Sequence, residues 1–223
     1  MMTHSVYAFF DVDDTLIRRK SMFSFFHYWC KEWVHNPDLL SAFDAHFEAA
    51  RAAGVPREEL NRDYYRFLAK AEPHKLATAG EKWARGVIDE GLFHTATVVQ
   101  LQNLVSQGVV PVFVSGSFGE VLKPLARHLG VNHILATKML LSPDQLYTGE
   151  IGTPQTIGVG KALSIQDFLL RKGKSATECW AFGDDVSDVP MLECVGHPVA
   201  VGSNPDLSTI ARKRQWQTLA LGA

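Results

Sequence analysis

The strongest constraint on this chain is a set of short apolar segments that recur along it, each closing on small or acidic residues. They are VYAFF (6–10), VVPVFV (109–114), HILA (133–136), ECWAF (178–182) and PVAV (198–201). Helical stretches lie between them, among them Phe118 to Leu129 and Lys161 to Arg171. Strands that alternate with helices predict an α/β fold with a mainly parallel sheet. Ligands in such folds bind beyond the carboxyl ends of the strands, so chemistry is expected from Asp11, Ser115 and Gly183 onward. A chain of 223 residues with 46% hydrophobic content can bury one such core and still carry a smaller insert.

The alternation fails at length once. Residues 18–93, including SMFSFFHYWCKEWV and PREELNRDYYRFLAKAEPHKL, have helical composition and spacing with no strand among them. They predict a helical cap, 18–93, inserted into a core made of 1–17 and 94–223. A second interruption, TKMLLSPDQLYTGEI (137–151), reads as a hairpin with a polar turn at Ser142 to Gln145. The aromatic run Phe23, Phe25, Phe26, Tyr28, Trp29 and Trp33 covers more than one helical face. It reads first as the cap's own core and second as the wall of a pocket. His27 and Cys30, with His35 nearby, lack a fourth ligand of suitable spacing for zinc.

Four of the predicted strand ends or helix starts carry reactive residues. The first strand runs into Asp11, Asp13 and Asp14, with Thr15 behind them. Asp11 and Asp13, two apart on an extended segment, point to one side. Like charges this close raise each other's pKa and call for a cation. The second strand ends at Ser115, and Gly116 lets the backbone come close to a ligand just before a helix N-terminus, a natural anion site. Lys161 follows a glycine-rich turn that is not a P-loop, because Gln155 and Ala162 stand where that motif needs Gly and Ser or Thr. A later strand ends at Gly183, followed by Asp184, Asp185 and Asp188. Each feature alone has a plainer reading: an acidic turn, a capped helix, a surface lysine, a second set of caps. Together they place two carboxylate clusters, a hydroxyl and an ammonium where α/β sites form, and the hard oxygen donors suit Mg²⁺.

The order D-x-D-x-T, strand-end Ser, Lys and G-D-x-x-x-D resembles the haloacid dehalogenase-like hydrolases. It is most similar to their phosphoserine-phosphatase-related branch, where T-G-x-x-x-G leads toward the lysine and which TGEIGTPQTIGVGK resembles here. The resemblance implies a Rossmann-like doubly wound core and hydrolysis of a small phosphorylated metabolite through an aspartyl-phosphate. It implies Asp11 as nucleophile and Asp13 as the acid and then base. Mg²⁺ would be held by Asp11, the Asp13 carbonyl and Asp184. Ser115, Gly116 and Lys161 would gather the phosphoryl oxygens, with Thr15 and Asp188 in support. Asp13 favours phosphate esters over halides, since a halide needs no proton to leave.

The chain departs from the phosphoserine phosphatases at the position nine after the nucleophile. Lys20 stands where they carry a Glu for the substrate ammonium, so Lys20 is a candidate for specificity, with phosphoserine expected to be poor. Asp14, Asp185 and Ser187 also differ from the usual residues of that branch. Phosphotransfer to an acceptor other than water and a non-catalytic receiver-like domain are the competing readings. Chain length and the G-D-x-x-x-D cluster speak against the receiver. A net charge of −2 gives no footprint for nucleic acid or a membrane surface. The apolar runs fall well short of the roughly 20 residues of a bilayer span. MMTHSVYAFF lacks the features of a secretory leader, and the three cysteines read as reduced thiols of a cytoplasmic protein.

Overall fold

The computed structural model of the chain describes residues 5–222. Residues 1–4, part of the stretch read as lacking a leader, and residue 223 lie outside the described residues. β1 (Tyr7–Phe10) is followed by α1 (Ser21–Tyr28), a π-helical turn (Trp29–Trp33), α2 (Pro37–Ala52), α3 (Arg57–Arg66), α4 (Pro73–Asp89) and α5 (Thr95–Ser106). Alternation resumes with β2 (Val110–Ser115), α6 (Gly119–His128) and β3 (His133–Ala136). The antiparallel hairpin of β4 (Met139–Leu141) and β5 (Tyr147–Ile151) leads into α7 (Val159–Lys172) and β6 (Trp180–Gly183). The chain finishes with α8 (Val189–Glu193), β7 (His197–Val201), α9 (Pro205–Arg214) and β8 (Gln217–Leu219).

The six-stranded sheet has the order β3-β2-β1-β6-β7-β8, and every neighbouring pair is parallel. This is the Rossmann-like α/β architecture expected. The five apolar runs form β1, β2, β3, β6 and β7. β8 was not anticipated: an edge strand has one neighbour, and Gln217-Thr218-Leu219 carries no apolar run to announce it.

Alternation along the strands feeds two cores. Ala8 and Phe10 of β1 join Phe113 and Phe182 on one face, under α4, α5 and α6. Tyr7 and Phe9 join Val112, Val114 and Ala181 on the other, against Ile165, Phe168 and Leu169 of α7. Burial of β1 on both faces explains its unbroken apolar run. The sheet grows from β1 toward β3 and then from β6 toward β8, so the order reverses between β1 and β6. At this switch point the strand ends leave a crevice.

Most of the aromatic run packs internally, as first read. Phe26 stacks on Phe43 with ring centroids 4.1 Å apart, and Phe25 meets Trp83 and Phe118 edge-on. His27 pairs with Asp44, and the His35 ring bonds the Lys31 carbonyl. α4 lies so close to α6 that a Cβ on Gly80 would sit 2.3 Å from the Glu120 carbonyl oxygen. Gly80→Val is therefore expected to cost about 1–3 kcal/mol through forced separation of two packed helices, lowering Tm by several degrees. Differential scanning calorimetry checks this, and an unchanged Tm would mean that the helices yield without loss.

Candidate active site

The acids gather at the switch point. The Asp11 N–H donates to the Phe182 carbonyl at 2.9 Å, extending the β1–β6 pairing one residue beyond the strand and fixing where the first carboxylate emerges. The backbone then turns, with Asp14 at φ 61°, a left-handed conformation that a short polar side chain tolerates. Thr15 folds back under the turn. Its hydroxyl lies 2.7 Å from Asp184 Oδ1 and 3.3 Å from Asp11 Oδ2, so the better bond goes to Asp184.

Lys161, at the start of α7, reaches the same point from below. Its buried ammonium donates to Asp11 Oδ1 at 2.5 Å and to Asp188 Oδ1 at 2.6 Å. Asp188 comes this near because Gly183 has no side chain: a Cβ there would lie 2.6 Å from the Asp188 Cβ. Among the described residues Lys161 is the single buried cation, and it faces the carboxylates of Asp11, Asp13, Asp184 and Asp188.

That imbalance shows in the protonation energetics. Burial, and next the charge of Asp11, pushes both Asp13 and Asp184 up to about 7. Burial raises Asp188 as well, against the pull of Lys161. Burial acting alone would lower Lys161, but Asp11 and Asp188 outweigh it and hold the ammonium charged. Asp13 Oδ1 is buried without a hydrogen-bond partner.

Carboxylate oxygens of Asp11, Asp184 and Asp188 lie within 4.8 Å of one another. Hard anionic donors at this spacing, in a site short of positive charge, fit Mg²⁺. The Asp13 carboxylate is not in this group, so any ligation by Asp13 falls to its backbone carbonyl. Asp188 is in the group, but one of its oxygens is already held by Lys161.

Ser115 ends β2 beside the acids, and its Oγ accepts the Ser117 N–H at 3.1 Å. Gly116 follows in the open backbone stretch before α6. These residues form the floor of a cavity of about 570 Å³ whose upper wall comes from α1 to α3, through Met22, Phe23, Leu60 and Tyr64. Phe23 is thus the member of the aromatic run that lines the pocket.

Lys20 lines the same cavity and pairs with Asp14 at 2.7 Å. Arg57 of α3 pairs with Asp185 across the cavity. Two acids that depart from the phosphoserine phosphatases are therefore each matched to a cation, and Lys20 is not a bare charge. The sequence reading missed Arg51, Arg57, Asn61 and Ser117 on the cavity wall. Two of them had a signal. Arg57 sits at a helix N-terminus, against the dipole, and Asn61 lies inside a helix, where its amide competes with the backbone. Ser117 had none, although its buried hydroxyl lacks a partner.

Comparison with known proteins agrees with this geometry. Residues 8–193 match the haloacid dehalogenase-like hydrolase family. A probable phosphatase of Mycobacterium tuberculosis is 28% identical, over 96% of this chain and 74% of its own length. A Bordetella pertussis protein of unknown function superposes with a TM-score of 0.88 at 26% identity, covering 99% of this chain and all of that one. A substrate-bound phosphoserine phosphatase shares the fold at a TM-score of 0.66 and 16% identity, over 92% of this chain and 90% of its own. No helix among the described residues is long and apolar enough to cross a membrane. The family match over most of the chain, on a site assembled from the same four strand ends and helix starts, makes this protein an enzyme of the haloacid dehalogenase-like hydrolase family.

Proposed function

We propose that the protein is a Mg²⁺-dependent phosphoric monoester hydrolase that acts on a small phosphorylated metabolite through an aspartyl-phosphate on Asp11. The observation that carries this reading is the placing of two neighbouring acids in different surroundings. Asp11 is held by the Lys161 ammonium, while Asp13, its pKa pushed by burial up to about 7, can both give and take a proton near neutral pH. Asp11 Oδ2, only weakly engaged by Thr15, attacks phosphorus. The bond from phosphorus to the ester oxygen breaks, and Asp13 protonates the departing alkoxide. Asp13 then takes a proton from the water that attacks the aspartyl-phosphate, releasing inorganic phosphate and restoring Asp11. Ser115, the backbone at Gly116 and Lys161 hold the phosphoryl oxygens and offset their charge during transfer. A Mg²⁺ held by Asp11, Asp184 and the Asp13 carbonyl would neutralise charge between the nucleophile and the phosphoryl group. Asp188 orients Lys161, and Thr15 braces Asp184.

In this reading residues 18–93 form the cap over a core of 1–17 and 94–223, and α1 to α3 select the substrate. The receiver-like alternative does not fit a chain of a hydrolase family. The relatives named phosphoserine phosphatase support a small phosphate ester as substrate. Lys20 still opposes an ammonium at its position, softened by Asp14. A cytoplasmic setting rests on three free thiols, Cys30, Cys179 and Cys194.

The test is phosphate release from a panel of phosphorylated metabolites, phosphoserine and an activated aryl phosphate, with Mg²⁺ and with EDTA. Turnover that EDTA abolishes, with phosphoserine below the best substrate, is expected. New phosphoesters on an added alcohol would favour phosphotransfer, and an inactive protein across the panel would end the hydrolase reading.

Metal binding also carries a stability signature. An acid whose folded pKa lies above its unfolded value stabilises the fold below the unfolded pKa and loses that contribution as pH rises through the folded one. For Asp13 and Asp184 the loss runs from 3.8 to about 7. Mg²⁺ added to metal-free protein is thus expected to raise Tm by several degrees at about pH 8 and much less at about pH 5. Thermal melts at both pH values check it, and equal shifts would mean that the ion does not relieve carboxylate repulsion.

A further inference from the structure

The loop after β2 is gripped from an unexpected side. The Gly116 carbonyl, at the floor of the cavity, accepts two hydrogen bonds from α3: one from Asn61 Nδ2 at 3.1 Å and one from the Tyr65 hydroxyl at 2.6 Å. Both donors are buried, Asn61 to 7% exposure and Tyr65 fully. The Asn61 amide is itself locked. Its Oδ1 accepts from Gln155 Nε2 at 2.8 Å, and that same Gln155 nitrogen also donates to the Glu58 carbonyl. Gln155 in turn belongs to the turn that delivers Lys161, because a Cβ on Gly160 would collide with the Gln155 carbonyl. One helix face therefore touches the supports of both the hydroxyl and the ammonium assigned to phosphate.

The consequence follows from peptide geometry. In a trans peptide the carbonyl and the next N–H point in opposite directions. Fixing the Gly116 carbonyl toward α3 aims the Ser117 N–H away from it, and the Ser117 N–H indeed meets Ser115 Oγ at 3.1 Å. A hydroxyl oxygen that accepts this bond still has its own hydrogen to give. The Ser115 hydrogen is thereby left for an incoming acceptor in the cavity.

Resting on the phosphatase reading above, we infer that Asn61 and Tyr65 are positioning residues that act through the Gly116–Ser117 peptide to aim the Ser115 hydroxyl at the phosphoryl group. Because both donors lie on α3, the phosphate grip is complete only when α3 is docked on the core. Substrate selection by the helical wall and phosphate binding at the floor are then one event.

The experiment is a double-mutant cycle on the full chain with Mg²⁺, reading both kcat/KM for an aryl phosphate and calorimetric binding of inorganic phosphate. Tyr65→Phe removes one hydroxyl and keeps the ring, so it is the primary variant. Asn61→Ala is the second, with Tm recorded for each. Either change is expected to weaken both readouts about threefold to tenfold in the presence of Ser115. In a Ser115→Ala background Tyr65→Phe is expected to add nothing, because the group it positions is gone, and Asn61→Ala is expected to keep only the smaller loss that passes through Gln155 to the Lys161 turn. A merely structural role predicts equal losses in both backgrounds, and that result overturns the inference, as does no loss in either. If the wild type binds phosphate without hydrolysing the ester, the hydrolase reading fails while the binding cycle still decides this one. If it does neither, both fall.

Discussion

Asp11→Asn is expected to remove turnover, by roughly four orders of magnitude or more, while the protein stays folded. Asparagine has the shape of aspartate but offers phosphorus no anionic oxygen, so the step that forms the aspartyl-phosphate is lost. The fold should survive because Lys161 keeps its second partner, Asp188, at 2.6 Å. Replacing Asp11 also relieves part of the repulsion that raises Asp13 and Asp184. Circular dichroism and a thermal melt should therefore match the wild type, with phosphate release at background. Phosphate release within tenfold of the wild type would mean that another group attacks phosphorus, and the role of Asp11 would have to be reassigned.

The second large effect is a split between leaving groups. Asp13→Asn cannot protonate an alkoxide, so alkyl phosphates are expected to slow by about 10²- to 10⁴-fold. An activated aryl phosphate leaves without that proton, and its first step should be nearly unaffected. Its second step still needs a base for water, so the enzyme is expected to accumulate as the aspartyl-phosphate. The observable is a burst of phenolate, one per site, followed by a slow steady rate. Equal losses for both substrates with no burst would assign Asp13 a supporting part only. Its place on the cavity wall, with one oxygen buried and unpartnered, is what an acid that must meet a substrate requires.

The candidate groups are readable along the chain because most of them sit at or just beyond a strand end. Asp11 and Asp184 follow β1 and β6 directly and Ser115 closes β2, and a buried strand announces itself by its apolar run. Lys161 was readable through the glycine-rich turn before it. The pairing of Asp14 with Lys20 joins residues six apart, so the two departures could have been read together. The β8 edge strand and the partnership of Arg57 with Asp185 had no such local mark.

Residue order along the chain thus settled which groups were available, because strand periodicity and turn chemistry are local properties. It could not settle who meets whom. Asn61 and Tyr65 lie far in sequence from Gly116, and helix propensity says nothing about where a side chain on α3 will land. Their contact exists because α3 folds over the switch point between β1 and β6, where strand ends leave backbone carbonyls and carboxylates exposed together. Distances between remote segments arise from packing the whole core. The balance of four acids against one buried lysine, and the hydrogen bonds that aim Ser115, are therefore properties of the assembled fold.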